Sequence, residues 1–362
     1  MLESVKQLPR WVTITLALPL VTLNLWVLSW IFEQAQPLVN VLIVANVLAF
    51  ILDYPVQLLQ NRGIQRSYGI LLILLIVFIA VGTFTITLAP DLFKQFIELT
   101  NRLPSWIDSG REQLQNFDAW YVTHNLPGNY NGLAQQLSRL FPTELKVLPN
   151  QLMGLVVGLT DRVIDLLVTA VFTLYLLIHG RTFWDGVFLR FPTIQHVRPV
   201  IRQQFRNYFL GQVSIATLMG ISLTIAFHLL KIPYWLVFGV GIGATVLIPF
   251  GDILGIAVVS GLVALKSIGL GTEVLIVSIL IDQLIDNAIA PRILGRLVGL
   301  NPVWVLISLV IGAQIGGLIG ILIAVPFAGA IKVVLDSVWP PPRQAEKELS
   351  LKHPSVTPLP SE

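Results

Sequence analysis

The chain has 362 residues, of which 55% are hydrophobic and only 12% charged, with a net charge of +3 and no cysteine. A soluble domain carries roughly 25% charged residues, and a chain this long could fill a core with far less apolar sequence, so the excess must face lipid. Disulfides, thiolate metal sites and a cysteine nucleophile are excluded. The basic residues sit in short loops beside apolar runs, the orientation signal of a membrane protein and not a nucleic-acid surface.

Several runs exceed the roughly 20 residues that cross a hydrocarbon core as a helix, and nothing alternates as barrel strands do. The expected fold is an all-α polytopic membrane protein with about eight hydrophobic segments. The first, Trp11–Phe32, follows Lys6 and Arg10. It is too long for a signal-peptide core and lacks a small-residue cleavage site, so it is expected to stay as an anchor. A polar link, Glu33–Pro37, leads to the second segment, Leu38–Asp53. The loop 54–67 carries Arg62 and Arg66 without an acid, which predicts a cytoplasmic loop and places the N-terminus inside as well. A third segment, Tyr68–Ala89, completes an N-terminal membrane unit over 1–90.

Residues 91–150 mix charges of both signs with Leu, Phe and Trp at helical spacing. They read as amphipathic helices on the outer face that rest on the membrane, pack on neighbouring subunits or cap a ligand. The membrane core is expected over 151–338. Its segment Gln151–His179 carries Asp161, Arg162 and Asp165, and the last two are spaced to pair on one helix face. Five arginines against Asp185 between Gly180 and Asn207 predict a second cytoplasmic loop. Segment five, Tyr208–Leu230, then returns outward to the turn Lys231-Ile232-Pro233. The tail 339–362 is proline-rich and expected to be disordered.

Two long apolar stretches, 234–265 and 303–335, are broken at Pro249–Asp252 and at Gly316-Gly317 and Pro326. They match each other at an offset of 69 residues: Pro233-Tyr234-Trp235 on Pro302-Val303-Trp304, Ile242-Gly243-Ala244 on Ile311-Gly312-Ala313, Gly251 on Gly320. Paired, Gly/Pro-interrupted segments point to a transporter's binding site. If each stretch is a helical hairpin that enters and returns, Arg292, Arg296, Lys332, Arg343 and Lys347 all fall on the cytoplasmic side, and the two repeats run in opposite directions.

Between them lies the segment Thr272–Ala290, with Asp282 and Asp286 four apart and Gln283 and Asn287 four apart, two adjacent polar stripes on one helix. An aspartate at mid-membrane costs roughly 2.5–3.5 kcal/mol on the insertion scale, so this segment must face protein, water or a partner. Arg292, Asp252 and Gln314 are its natural partners. Protonated, such an aspartate could carry a proton; ionised, it could ligate a hard cation. The alternative is that arginines pair with the aspartates and hold the bundle together. Pro249, Gly251, Pro291, Gly316, Gly317 and Pro326 mark the broken-helix backbone, and the small residues from Gly312 to Gly320 suit close helix packing.

Pro249-Phe250-Gly251-Asp252-Ile253-Leu254-Gly255, then Gln283…Asn287…Pro291-Arg292-Ile293-Leu294-Gly295…Val298-Gly299-Leu300-Asn301-Pro302, then Gly312…Gly317…Gly320…Ala324-Val325-Pro326, resemble the autoinducer-2 exporter family of permeases. Many members of that family read Pro-Tyr-Val-Gly-Pro where this chain has Pro249-Phe250-Gly251-Asp252. The resemblance implies a multi-pass, homo-oligomeric permease of the bacterial inner membrane. It would export a small polar solute, such as a furanosyl signal of quorum sensing, or act as a sodium/proton antiporter. No Gly-x-x-x-x-Gly-Lys-Ser/Thr loop is present, so secondary transport is expected over an ATP-driven pump. An intramembrane aspartyl enzyme using Asp252 and Asp282 is disfavoured, because Pro249 stands where a Gly-x-Gly-Asp motif has its first glycine. No cofactor, metal or catalytic residue is expected, and the partners are the bilayer, the solute and a monovalent cation or proton.

Overall fold

The structure, a computed structural model, describes residues 10–123, 163–189, 198–294 and 301–338, with the single positions 151, 154 and 158. Arg162, expected to pair with Asp165, and Arg190, Arg296, the far half of the amphipathic region and the tail from Trp339 lie outside the described residues. No strand occurs among those described. The helices are α1 (Arg10–Asn61), α2 (Arg66–Thr87), α3 (Ala89–Thr123), α4 (Val163–Leu189), α5 (Arg198–Leu229), α6 (Trp235–Thr245), α7 (Gly251–Lys266) and α8 (Ile268–Leu284). A π-helical turn, Ile285–Ile289, joins α8 to the short α9 (Ala290–Leu294), and α10 covers Pro302–Val338.

Among the described residues, 6 helices are long and apolar enough to cross a membrane. Their outward side chains are bare: Phe78 and Ile86 are each 77% exposed, Ile164 and Leu166 72%. In water such surfaces would drive aggregation; in lipid they are at home.

The polar link expected at Glu33–Pro37 is helix instead. α1 runs unbroken for 52 residues, about 78 Å at 1.5 Å per residue, across Pro19, Pro37 and Pro55. Glu, Gln and Ala are good helix formers, and each proline forfeits one backbone hydrogen bond without turning the chain. Two oppositely directed crossings between Trp11 and Asp53 are therefore replaced by one rod. The crossing count that put the N-terminus inside loses a reversal, and the N-terminal side no longer follows from it.

The bundle has a basic end. Asp53 of α1 accepts a hydrogen bond from Arg66 Nη2 of α2 at 2.9 Å and from Arg202 Nη2 of α5 at 2.9 Å. Arg66 also donates to the Leu177 carbonyl of α4 at 2.9 Å, and Arg206 to Gln57 at 3.3 Å. One carboxylate thus ties three helices, and Arg66 adds α4 as a fourth. Asp53→Ala would leave two arginines facing each other and should cost about 3 kcal/mol, measurable as a lower unfolding temperature in detergent.

The opposite end is strapped by α3. Gln95 Oε1 accepts from Leu236 N at 3.1 Å, at the start of α6. Gln113 Oε1 accepts from Ile268 N at 3.1 Å while its Nε2 donates to the Leu265 carbonyl at 2.8 Å, closing the α7–α8 turn. Both satisfy helix N–H groups that have no partner within the helix. Trp106 packs on Tyr234 with ring centroids 5.6 Å apart, and Lys266 Nζ lies 5.7 Å from the Trp106 ring. The described part of region 91–150 therefore packs on the chain's own helices. Gln113→Leu should cost about 1–3 kcal/mol by orphaning two backbone groups, again read from thermal unfolding.

Both broken stretches fold back on themselves. A Cβ added to Gly255 would collide with Thr245 Oγ1, although ten residues of straight helix span about 15 Å. Likewise a Cβ on Gly320 would collide with the Gly312 carbonyl oxygen, where a straight helix would hold the two residues about 12 Å apart. The second reversal turns on Gly317, whose φ of 56° combined with ψ of −135° suits only glycine. The 69-residue offset puts Gly317 on Ile248, inside the α6–α7 turn, and Gly320 on Gly251, the first residue of α7. The hairpin α6–α7 opens toward α3. The turn of α10 lies at Gln36 of α1, whereas Phe327 and Ala330, farther along its second arm, line a cavity with Asp53, Arg66 and Arg202, so α10 opens toward the basic end. The repeats run in opposite directions, as the charge pattern predicted.

The core sits around α5, with Met219, Leu223 and Phe227 packed on Phe238 and Ile242 of α6, Val259 and Val263 of α7, and Val274 of α8. Backbone contact between α5 and α6 is close: a Cβ on Gly243 would lie 2.5 Å from Gly220 Cα. Small residues here permit the approach that membrane helices use in place of hydrophobic driving force.

Candidate functional site

Asp252 is positioned by the α6–α7 turn. Leu247 N bonds to Ala244 O at 3.2 Å, Ile248 N to Thr245 O at 3.0 Å and Gly251 N to Ile248 O at 2.8 Å. Pro249 lies within this turn and Phe250 leaves it with φ 64°, a strained left-handed residue. Gly251 has no room for a side chain, because a Cβ would run into the Thr245 carbonyl oxygen. Gln212 of α5 donates to the Val246 carbonyl that the turn sets free. Asp252 then falls in the first turn of α7, where free backbone N–H groups favour a carboxylate.

Asp282 and Asp286 come from α8 and the π turn that follows. Pro291 has no N–H for the Asn287 carbonyl, and its ring would crowd that carbonyl in a regular helix. The widened turn absorbs the conflict, with Ala290 N bonding back to Ile285 O. Such π turns are frequent at functional sites. The outcome is convergence: carboxylate oxygens of Asp252, Asp282 and Asp286 lie within 4.8 Å of one another, the first two half-buried. Three charges this close repel by about 4 kcal/mol per pair at 4 Å and an effective dielectric of 20. A bound cation or proton relieves that repulsion, and oxygen-only ligands suit a hard cation.

Of the three partners expected for the aspartates, the structure supplies Asp252. Arg292 is exposed, and none of the ion pairs among the described residues joins it to the cluster. Gln283 and Asn287 form the neighbouring exposed stripe, where Asn287 Nδ2 donates to the Gln283 carbonyl at 2.8 Å and to its Oε1 at 3.1 Å. Gln314 is exposed on the first arm of α10 beside Gly316 and Gly317, while Pro326 is buried in the second arm. The expected residues thus divide among the α6–α7 hairpin, the segment α8–α9 and the α10 hairpin. Sequence reasoning missed the π turn, Gln212 and Ser278. Ser278 is fully buried one turn before Asp282, with its hydroxyl unpartnered among the described residues. Its four-residue spacing to Asp282 was the signal that could have found it.

A groove of about 880 Å³ runs between α1 and the arms of α10. Gln36, Asn40, Asn301 and Ser308 are among its polar walls, and Gln36 Nε2 reaches the Ile315 carbonyl near the hairpin turn at 3.5 Å.

Two oppositely directed helical hairpins in a helical membrane bundle, with acidic groups gathered at the turn of one, define a multi-pass membrane transporter. The family model described as "AI-2E family transporter" matches residues 16–339. The chain belongs to that family, in agreement with the resemblance carried by its motifs. It is 39% identical over 346 residues to "Putative transport protein sll0063" of Synechocystis sp., covering 93% of this chain and 87% of the relative. A second Synechocystis protein, "Putative transport protein sll0060", is 36% identical over 330 residues, 90% of this chain and 96% of the relative. "Putative permease PerM" of Escherichia coli (strain K12) is 26% identical over 307 residues, 83% of this chain and 86% of the relative.

Proposed function

We propose that this chain is an ion-coupled exporter of a small polar solute in the bacterial inner membrane, with Asp252, Asp282 and Asp286 holding the coupling cation or proton. The convergence of three carboxylates from two helices at a hairpin turn carries this reading. Unwound backbone at that turn supplies further oxygens, since broken membrane helices tolerate free carbonyls where they line a cavity. The groove beside α10 offers room and amide and hydroxyl groups for a sugar-like solute, such as the furanosyl signal implied by the resemblance.

The second reading, sodium/proton antiport, is favoured by the same carboxylates standing without a paired arginine among the described residues. Proteoliposomes holding a pH-sensitive dye separate the two. Coupled export predicts proton or cation movement only when the solute is supplied. Antiport predicts proton counterflow on a sodium gradient alone. Ion movement under neither condition would sink both.

A further inference from the structure

A second polar cluster lies away from the acidic site, at the basic end. There α1, α2, α4, α5 and the second arm of α10 enclose a cavity of about 230 Å³ lined by Asp53, Arg66, Arg202, Phe50, Phe205 and Phe327, among others. We propose that this cavity binds the phosphate headgroup of an anionic phospholipid of the cytoplasmic leaflet.

Charge complementarity is the first argument. Two guanidinium groups face one carboxylate, so the lining keeps a net positive charge after Asp53 has accepted from both. Arg202, with 38% of its side chain exposed, bonds Asp53 through Nη2 alone among the described residues, which leaves guanidinium N–H groups for a ligand in the cavity. A phosphate oxygen is the acceptor that a planar guanidinium takes best. The second argument is the wall. Phe205 lies 6.4 Å from Phe50 and 5.6 Å from Phe327 between ring centroids, giving an apolar face against the charged one. A free anion has no use for that face, whereas a lipid's glycerol and acyl chains do. The third is depth. Arg66, Arg202 and Arg206 share this end with Arg62, which the positive-inside rule assigns to the cytoplasm. Basic pockets between membrane helices on that side bind anionic headgroups.

The test uses the full-length protein in mixed micelles with phosphatidylglycerol or phosphatidylcholine, followed by thermal unfolding. Phosphatidylglycerol is expected to raise the Tm above phosphatidylcholine. Arg202→Gln should weaken that effect about tenfold in lipid concentration. Ala49→Leu, which fills the cavity and leaves every charge in place, should abolish it; this variant decides the matter if Arg202→Gln does not fold. An equal Tm in the two lipids, or an unchanged increment in Ala49→Leu, overturns the proposal. So does an equal rise with inorganic phosphate alone, which would make the cavity a free-anion site.

Discussion

Asp282→Asn is expected to abolish ion-driven transport while leaving the fold intact and raising its thermal stability. Asparagine keeps the shape and the oxygen but not the charge. Loss of one charged ligand removes about 1.5–3 kcal/mol of binding, or roughly 10- to 100-fold in affinity for the coupling ion. In the empty protein the same substitution relieves repulsion from Asp252 and Asp286, whose oxygens lie within 4.8 Å, so the Tm should rise. Opposite signs for transport and stability are what separate a working carboxylate from a scaffolding one. If Asp282 instead held the bundle together, both would fall. Flux into proteoliposomes and unfolding in detergent, measured on one preparation, give the two signs.

Gly320→Val is expected to prevent folding. Its Cβ would overlap the Gly312 carbonyl oxygen, and because that obstacle is backbone, no side chain can yield. Separating the arms of α10 should cost about 4 kcal/mol or more, and size-exclusion chromatography should show aggregate or no protein. Gly316→Ala is the internal control, since a methyl group there would meet nothing within 4 Å; it should cost no more than about 1 kcal/mol. If α10 were one long kinked crossing, the two substitutions would behave alike.

The hairpins were legible in the sequence because two signals agreed. The repeat placed breaks near 248 and 317, and the positive-inside rule asked for both arginine groups on one side. The aspartate triad was half legible. Four-residue spacing put Asp282 and Asp286 on one face, but the choice among Asp252, Arg292 and Gln314 depended on how α7 packs against α8, which no local pattern encodes. The π turn was hidden because Pro291 reads equally as a helix end and as a conflict the helix absorbs. The continuous α1 was misread for the converse reason. Glu33, Gln34 and Gln36 look like a loop to a hydropathy reading, yet their helix propensity is high. The role of α3 was invisible, since Gln95 and Gln113 find their backbone partners 141 and 155 residues away.

Ion binding at equilibrium tests the central claim most directly. Thermal unfolding of wild type and of the triple variant Asp252→Asn/Asp282→Asn/Asp286→Asn would be compared in sodium, potassium and choline at constant ionic strength, and on acidification. A ligand at a hundredfold excess over its Kd stabilises by about 2.7 kcal/mol. The expected result is that at least one cation, or the proton, stabilises wild type selectively and has no such effect on the triple variant. Identical responses of the two proteins under every condition would contradict the assignment of the aspartates as the coupling site.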